Sequence, residues 1–127
     1  MSQTPLIAIV DDDDSVCEAM QGLVEAFGFA AEAFSSAEEF LHSERLNDTA
    51  CLITDVQLPG MSGFQLQSHL SASGSRIPII MTTAFPADDR RALADGAICF
   101  LRKPVIKEDL LTCIRSALDR RHNGDFR

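Results

Sequence analysis

Carboxylates, a hydroxyl and an ammonium recur at the ends of apolar runs along this chain. Leu6-Ile7-Ala8-Ile9-Val10 runs into Asp11-Asp12-Asp13-Asp14, and Cys51-Leu52-Ile53-Thr54 runs into Asp55. Pro78-Ile79-Ile80-Met81-Thr82 runs into Thr83, and Ala97-Ile98-Cys99-Phe100-Leu101 into Arg102-Lys103-Pro104. Gathered at one rim, Asp11, Asp12 and Asp55 would be three mutually repelling carboxylates, unfavourable unless protons, a cation or an ammonium offset them. Two hard oxygen donors at a water-filled edge suit Mg2+, which binds through one or two carboxylates and keeps several waters. Lys103 brings positive charge, and Thr83 a hydroxyl that donates or accepts a hydrogen bond. Capping a helix consumes only one or two aspartates, so the run Asp11–Asp14 calls for a further purpose.

The elements that must position these groups follow from periodicity. The run at 6–10 is continuous and rich in β-branched residues, as in a central parallel strand. Val16, Met20, Leu23, Val24 and Phe27 then fall at helical spacing; Ser15 to Glu18 matches a capping box, with Asp13 or Asp14 as competing caps, and Gly28 closes the helix. Residues 29–34 form a weaker, alanine-rich strand, followed by a short helix capped by Ser35 or Ser36 and carrying Ala37, Phe40 and Leu41. After the Asp55 strand, Pro59-Gly60 and Ser62-Gly63 mark a turn before a helix carrying Phe64, Leu66 and Leu70. A fourth strand begins at Pro78, a marginal helix spans 86–95, a fifth strand spans 97–101, and a last helix carries Leu110, Leu111, Ile114, Ala117 and Leu118. Five alternations of strand and helix predict a doubly wound α/β fold with a parallel sheet and right-handed crossovers. All strand ends then point one way, which brings the polar groups to a single rim, where open α/β sheets bind ligands.

The bulk numbers narrow the function classes. The chain has 127 residues, 46% hydrophobic and 24% charged, enough for one domain with a sizeable core. A net charge of −8 and a pI near 4.7 argue against direct nucleic-acid binding by this chain. No apolar run approaches the roughly 20 residues of a membrane span, and residues 1–10 lack the features of a signal peptide, so a cytoplasmic protein without membrane contact is expected. Cys17, Cys51, Cys99 and Cys113 form no C-x-x-C pair and are expected to be buried free thiols. His42, His69 and His122 have no metal-ligand spacing and are expected to face solvent.

Taken together, Ile9-Val10-Asp11-Asp12, Asp55 before Leu58-Pro59-Gly60-Met61-Ser62-Gly63, Thr83-Ala84, Gly96-Ala97 and Phe100-Leu101-Arg102-Lys103-Pro104 resemble the receiver domain of bacterial response regulators. The resemblance spans 5–118 and implies a flavodoxin-like, five-stranded sheet of order 2-1-3-4-5 with helices on both faces. It further implies a receiver domain over 1–122 with a loose tail over 123–127. Asp55 would be the phosphoacceptor, receiving phosphorus from a sensor histidine kinase or a small phosphodonor. Asp11 or Asp12, Asp12 in preference, together with Asp55 and the backbone carbonyl of Gln57 would hold Mg2+, with Asp11 acting mainly through metal-bound water. Thr83 and Lys103 would bind phosphoryl oxygens, the Lys103–Pro104 bond would be cis, and Thr83 with Phe100 would form the switch. Gln57 and Phe85 stand where the family tunes the lifetime of the acyl phosphate. A phosphorylation-dependent homodimer would use the fourth helix, the fifth strand and the last helix.

Two other readings are open at this stage. An Mg2+ phosphatase with an aspartyl nucleophile needs a neighbouring general acid, commonly as Asp-x-Asp, and Asp55-Val56-Gln57 puts an amide there. A phosphorylation-independent interaction module would not need Asp11, Asp12, Asp55, Thr83 and Lys103 together. The expected role is that of a switch and not a metabolic enzyme, either stand-alone or as the front of a longer transcriptional regulator.

Overall fold

A computed structural model describes residues 4–84 and 96–124, with side chains described as far as 120. The marginal helix expected over 86–95, Phe85, and residues 125–127 lie outside the described residues. Five strands, β1 (Leu6–Val10), β2 (Ala30–Phe34), β3 (Thr49–Asp55), β4 (Ile79–Thr83) and β5 (Cys99–Arg102), pair in parallel in the order β2-β1-β3-β4-β5. This is the doubly wound α/β sheet that the alternation of apolar runs predicts.

Side chains alternate across the strands and sort into two apolar layers. Ala8, Val10, Leu52, Ile79 and Met81 face helix α2 (Ala37–Leu41) and helix α3 (Gly63–Ala72), meeting Phe40, Phe64, Leu66 and Leu70. Ile7, Ile9, Cys51, Ile53, Ile80 and Leu101 face helix α1 (Asp14–Ala26) and the last helix (Lys107–Gly124), meeting Met20, Val24, Leu110 and Ile114. Each face of β1, β3 and β4 is covered, which is why these strands read as continuous apolar runs. β2 lies at the edge; only Phe34 of its residues is buried, packed edge-on against Phe40 with ring centroids 5.4 Å apart.

Helix ends follow from local polar chemistry. Asp13, and not the Ser15–Glu18 capping box, caps α1: its carboxylate accepts from the N–H groups of Ser15 and Val16. An ionised acceptor competes better for those N–H groups than a hydroxyl does. Ser36 caps α2, and Ser62 and Gln65 form a reciprocal capping box on α3. The last helix continues to Gly124, two residues past the expected boundary at 122, and so ends at the Asn123-Gly124 pair, residues that suit a helix carboxyl end.

The cysteines depart from expectation. Cys17 and Cys51 are buried and free, but Cys99 of β5 and Cys113 of the last helix are joined as a disulfide. The two positions are 14 residues apart with no motif between them, and only the packing of strand on helix brings their Cα atoms to 5.9 Å. His42 and His69 are exposed, as expected, and the side chain of His122 lies outside the described residues.

Candidate functional site at the carboxyl rim of the sheet

Because all strands run the same way, the ends of β1, β3, β4 and β5 open on one rim. Asp11 follows β1, and Asp55 is the last residue of β3. Both are almost fully buried, with exposures of 3% and 6%, whereas Asp12 is exposed. Lys103, one residue past β5, joins the two: its Nζ donates to Asp11 Oδ2 at 2.8 Å and to Asp55 Oδ2 at 2.7 Å. The second oxygens are taken by backbone. Asp13 N–H donates to Asp11 Oδ1 at 2.9 Å, and Gln57 N–H donates to Asp55 Oδ1 at 3.0 Å. Both buried carboxylates are therefore fixed in plane and direction.

The electrostatics are those of two acids sharing one cation. Burial pushes the Asp55 carboxyl above its ordinary value; the hydrogen bonds from Lys103 and Gln57 N–H oppose this without cancelling it. Burial also works against the Lys103 ammonium, but its bonds to Asp11 and Asp55 prevail and hold its pKa above the usual lysine value. One carboxylate oxygen each from Asp11, Asp12 and Asp55 lie within 4.8 Å of one another, a set of hard donors that fits a divalent cation of the Mg2+ type.

Thr83 ends β4 and is fully buried; its carbonyl accepts from Lys103 N–H at 2.8 Å, continuing the ladder to the site lysine. By strand alternation it shares a face with Met81, the register partner of Phe100, while Asp55 shares the opposite face with Ile53. Phe100 is half-buried against the layer formed with α2 and α3. The Lys103–Pro104 peptide is cis. The structure thus brings Asp11, Asp12, Asp55 and Lys103 together, sets Thr83 and Phe100 on the opposite face at the adjoining strands, and puts the Gln57 backbone against Asp55.

Two positions were not singled out for the site from the sequence. Gly63, a turn residue and the end of the stretch that follows Asp55 in the resemblance, begins α3 directly on the end of β3. A Cβ there would lie 2.5 Å from the Asp55 carbonyl oxygen and 3.0 Å from Val56 Cα. Glu38 of α2 reaches the loop after β3, where its Oε2 accepts from Met61 N–H at 3.1 Å. A Ser-Gly pair is too common to flag the first contact, and no local pattern links residues 38 and 61.

A family model for the response regulator receiver domain matches residues 7–115. The chain belongs to the response regulator receiver family. The receiver is 41% identical over 115 residues to the response regulator protein TodT of Pseudomonas putida, covering 89% of this chain and 51% of TodT. It is 33% identical over 122 residues to the transcriptional regulatory protein FixJ of Azorhizobium caulinodans, covering 94% of this chain and 58% of FixJ. The solved structure of the response regulator StyR superposes with a TM-score of 0.87 at 38% identity, over 97% of this chain and 63% of StyR. The receiver therefore spans about half the length of the curated relatives it matches. Among its described residues no helix is long and apolar enough to cross a membrane.

Proposed function

We propose that the receiver is a phosphorylation-dependent switch of a two-component system, with Asp55 as phosphoacceptor. The observation that carries this reading is the Asp55 carboxylate at the open end of β3, 2.7 Å from Lys103 Nζ and beside the oxygens of Asp11 and Asp12. The Gln57 N–H orients one oxygen of Asp55, and the other faces the ammonium. An Asp55 oxygen attacks phosphorus on a phosphohistidine of a sensor kinase or on a small acyl phosphate. The new O–P bond forms as the bond to the donor breaks, and the electron pair leaves with the donor. A carboxylate already stripped of part of its hydration has less water to shed before attack. Lys103 then faces the incoming phosphoryl oxygens, and positioning with charge neutralisation accounts for the acceleration. Asp11, Asp12, Asp55 and the Gln57 carbonyl would hold Mg2+, which when bound would neutralise phosphoryl charge.

The acyl phosphate adds roughly −1.5 to −2 charge at the rim and draws hydroxyl donors toward it. Thr83 is the buried hydroxyl at the adjoining strand end, and its turn toward phosphate would free volume on the face it shares with Phe100. Phe100, half-buried on β5, would take up that volume and alter the surface offered by β5 and the last helix, on which a second phosphorylated copy would dock. In a longer regulator this change would pass to an output domain such as a transcriptional one.

Incubation with acetyl phosphate and Mg2+ should add one base-labile phosphoryl group, and Asp55→Asn should remove most of it. Equal labelling of the variant would refute Asp55 as acceptor. Sustained turnover of a small phosphate ester would instead indicate a phosphatase.

A further inference from the structure

We propose that Cys99 and Cys113 form a reversible redox site that governs how freely β5 moves against the last helix; its signalling consequence rests on the switch proposed above. The pair suits both states. Their Cα atoms stand 5.9 Å apart, inside the usual 4.4–6.8 Å range for a disulfide, so closing the bond requires no backbone rearrangement. Reduced, the two thiols sit in the apolar layer beneath α1 and the last helix, where small hydrophobic side chains belong. Reactivity is confined to this pair. Cys99 is partly exposed, whereas Cys17 and Cys51 are buried. The Cys17 thiol, moreover, is turned inward, where it donates to the Asp11 carbonyl at 3.2 Å.

The natural reactant is a small disulfide of the glutathione class. The Cys99 thiolate attacks one of its sulfurs, breaking the small S–S bond and releasing one thiolate. The Cys113 thiolate then attacks Cys99 in the mixed disulfide, closing the Cys99–Cys113 bond and releasing the second. The protein pair is oxidised by two electrons, the small disulfide is reduced, and the two thiol protons pass to the departing thiolates.

Position gives the bond its consequence. Cys99 directly precedes Phe100, and the closed loop from 99 to 113 contains Lys103. Oxidation therefore ties the strand that carries the switch aromatic to the second turn of the last helix. A clamp of this kind stabilises one arrangement of β5 relative to the other and so opposes a response that needs them to shift.

The test equilibrates the full chain across a series of reduced-to-oxidised glutathione ratios, blocks free thiols and maps peptides by mass. One transition is expected, in which a Cys99–Cys113 crosslink appears while Cys17 and Cys51 stay free thiols that are alkylated once the acid-quenched protein is denatured. Crosslinking of any other pair, or thiols at 99 and 113 at every ratio, overturns the site. Cys99→Ser, at the less buried position, should abolish the transition while keeping the folded spectrum. For the consequence, beryllofluoride-induced NMR shifts at Phe100, Leu110 and Ile114 are compared in the two redox forms. At least a twofold smaller response is expected when oxidised, with acetyl phosphate labelling of Asp55 retained in both forms, and equal responses overturn the clamp. Failure of Asp55 to label in either form would instead remove the switch reading and leave the thiol titration standing.

Discussion

Gly63→Ala should damage both the fold and the site, because the new methyl group would meet backbone and not a yielding side chain. The added Cβ would lie 2.5 Å from the Asp55 carbonyl oxygen and 3.0 Å from Val56 Cα. A comfortable carbon–oxygen approach is about 3.3 Å, so roughly 0.8 Å of movement is required. Either α3 lifts off, straining the 3.0 Å bond from Gly63 N–H to Val56 carbonyl, or the end of β3 shifts and takes Asp55 with it. Overpacking of this kind costs about 1–3 kcal/mol. For a domain of this size that is a fall in melting temperature of about 3–15 °C. Misplacing a reacting group by about 1 Å can cost on the order of 100-fold in rate, so acetyl phosphate labelling should slow at least about tenfold. Gly22→Ala is the control: no atom lies within 4 Å of a Cβ at that site in α1, and replacing a helical glycine should stabilise by about 0.5–1 kcal/mol. Thermal unfolding and timed phosphorylation of both variants decide the matter. A Gly63→Ala protein with wild-type melting and wild-type labelling rate would show that this contact does not position Asp55.

Asp55→Asn should melt higher than wild type at neutral pH. The folded-state pKa of Asp55 is raised above 3.8 by burial, so between 3.8 and the raised value the folded state holds the extra proton and stability falls as pH rises. The advantage of the variant should vanish below 3.8, and a less stable variant at pH 7 would refute the sign. Lys103 carries the opposite dependence: its pKa is raised by Asp11 and Asp55 against the effect of burial, so its stabilisation is complete below 10.5 and lost as pH climbs through the folded value. Alkaline unfolding of wild type should therefore be steeper than that of Lys103→Met, and parallel curves would show that the pairing is energetically idle. Asp13→Ala should cost about 1 kcal/mol as a lost cap, read from urea unfolding, and Asp14→Ala much less. Asp12→Ala should weaken Mg2+ binding in a calorimetric titration far more than Asp14→Ala, and equal affinities would remove Asp12 from the metal set.

The strands and the carboxylates at the rim were legible because a parallel sheet buried on both faces writes itself as apolar runs, and each run ends where the chain turns polar; the strand order came only with the resemblance to the receiver family. Asp11, Asp55 and Lys103 could be named from those endings alone. Their geometry could not: that one ammonium bonds both acids, while backbone N–H groups hold the remaining oxygens, depends on register and twist. The cap of α1 was ambiguous between Ser15 and the aspartates because both chemistries satisfy the same N–H groups, and Asp13 prevails by charge. The Gly63 contact and the Cys99–Cys113 bond were illegible for a common reason. Each contact is set by packing, of a helix against a strand end in the first case and against a strand face in the second, which no spacing of residues declares.

The ion pair between Asp11 and Lys103 spans 92 residues of chain, and the last helix covers one face of the sheet behind it. During synthesis the amino-terminal strands emerge first, yet no part of them can hold the acceptor in its working geometry until residue 103 has been made and β5 has docked. A truncated or half-folded chain would carry Asp55 as an ordinary solvated aspartate without its lysine. On the proposed function, competence to accept a phosphoryl group is in this way a property of the folded receiver. Were a kinase the donor, fragments and nascent chains would be silent by construction, with no incomplete copies to divert phosphate.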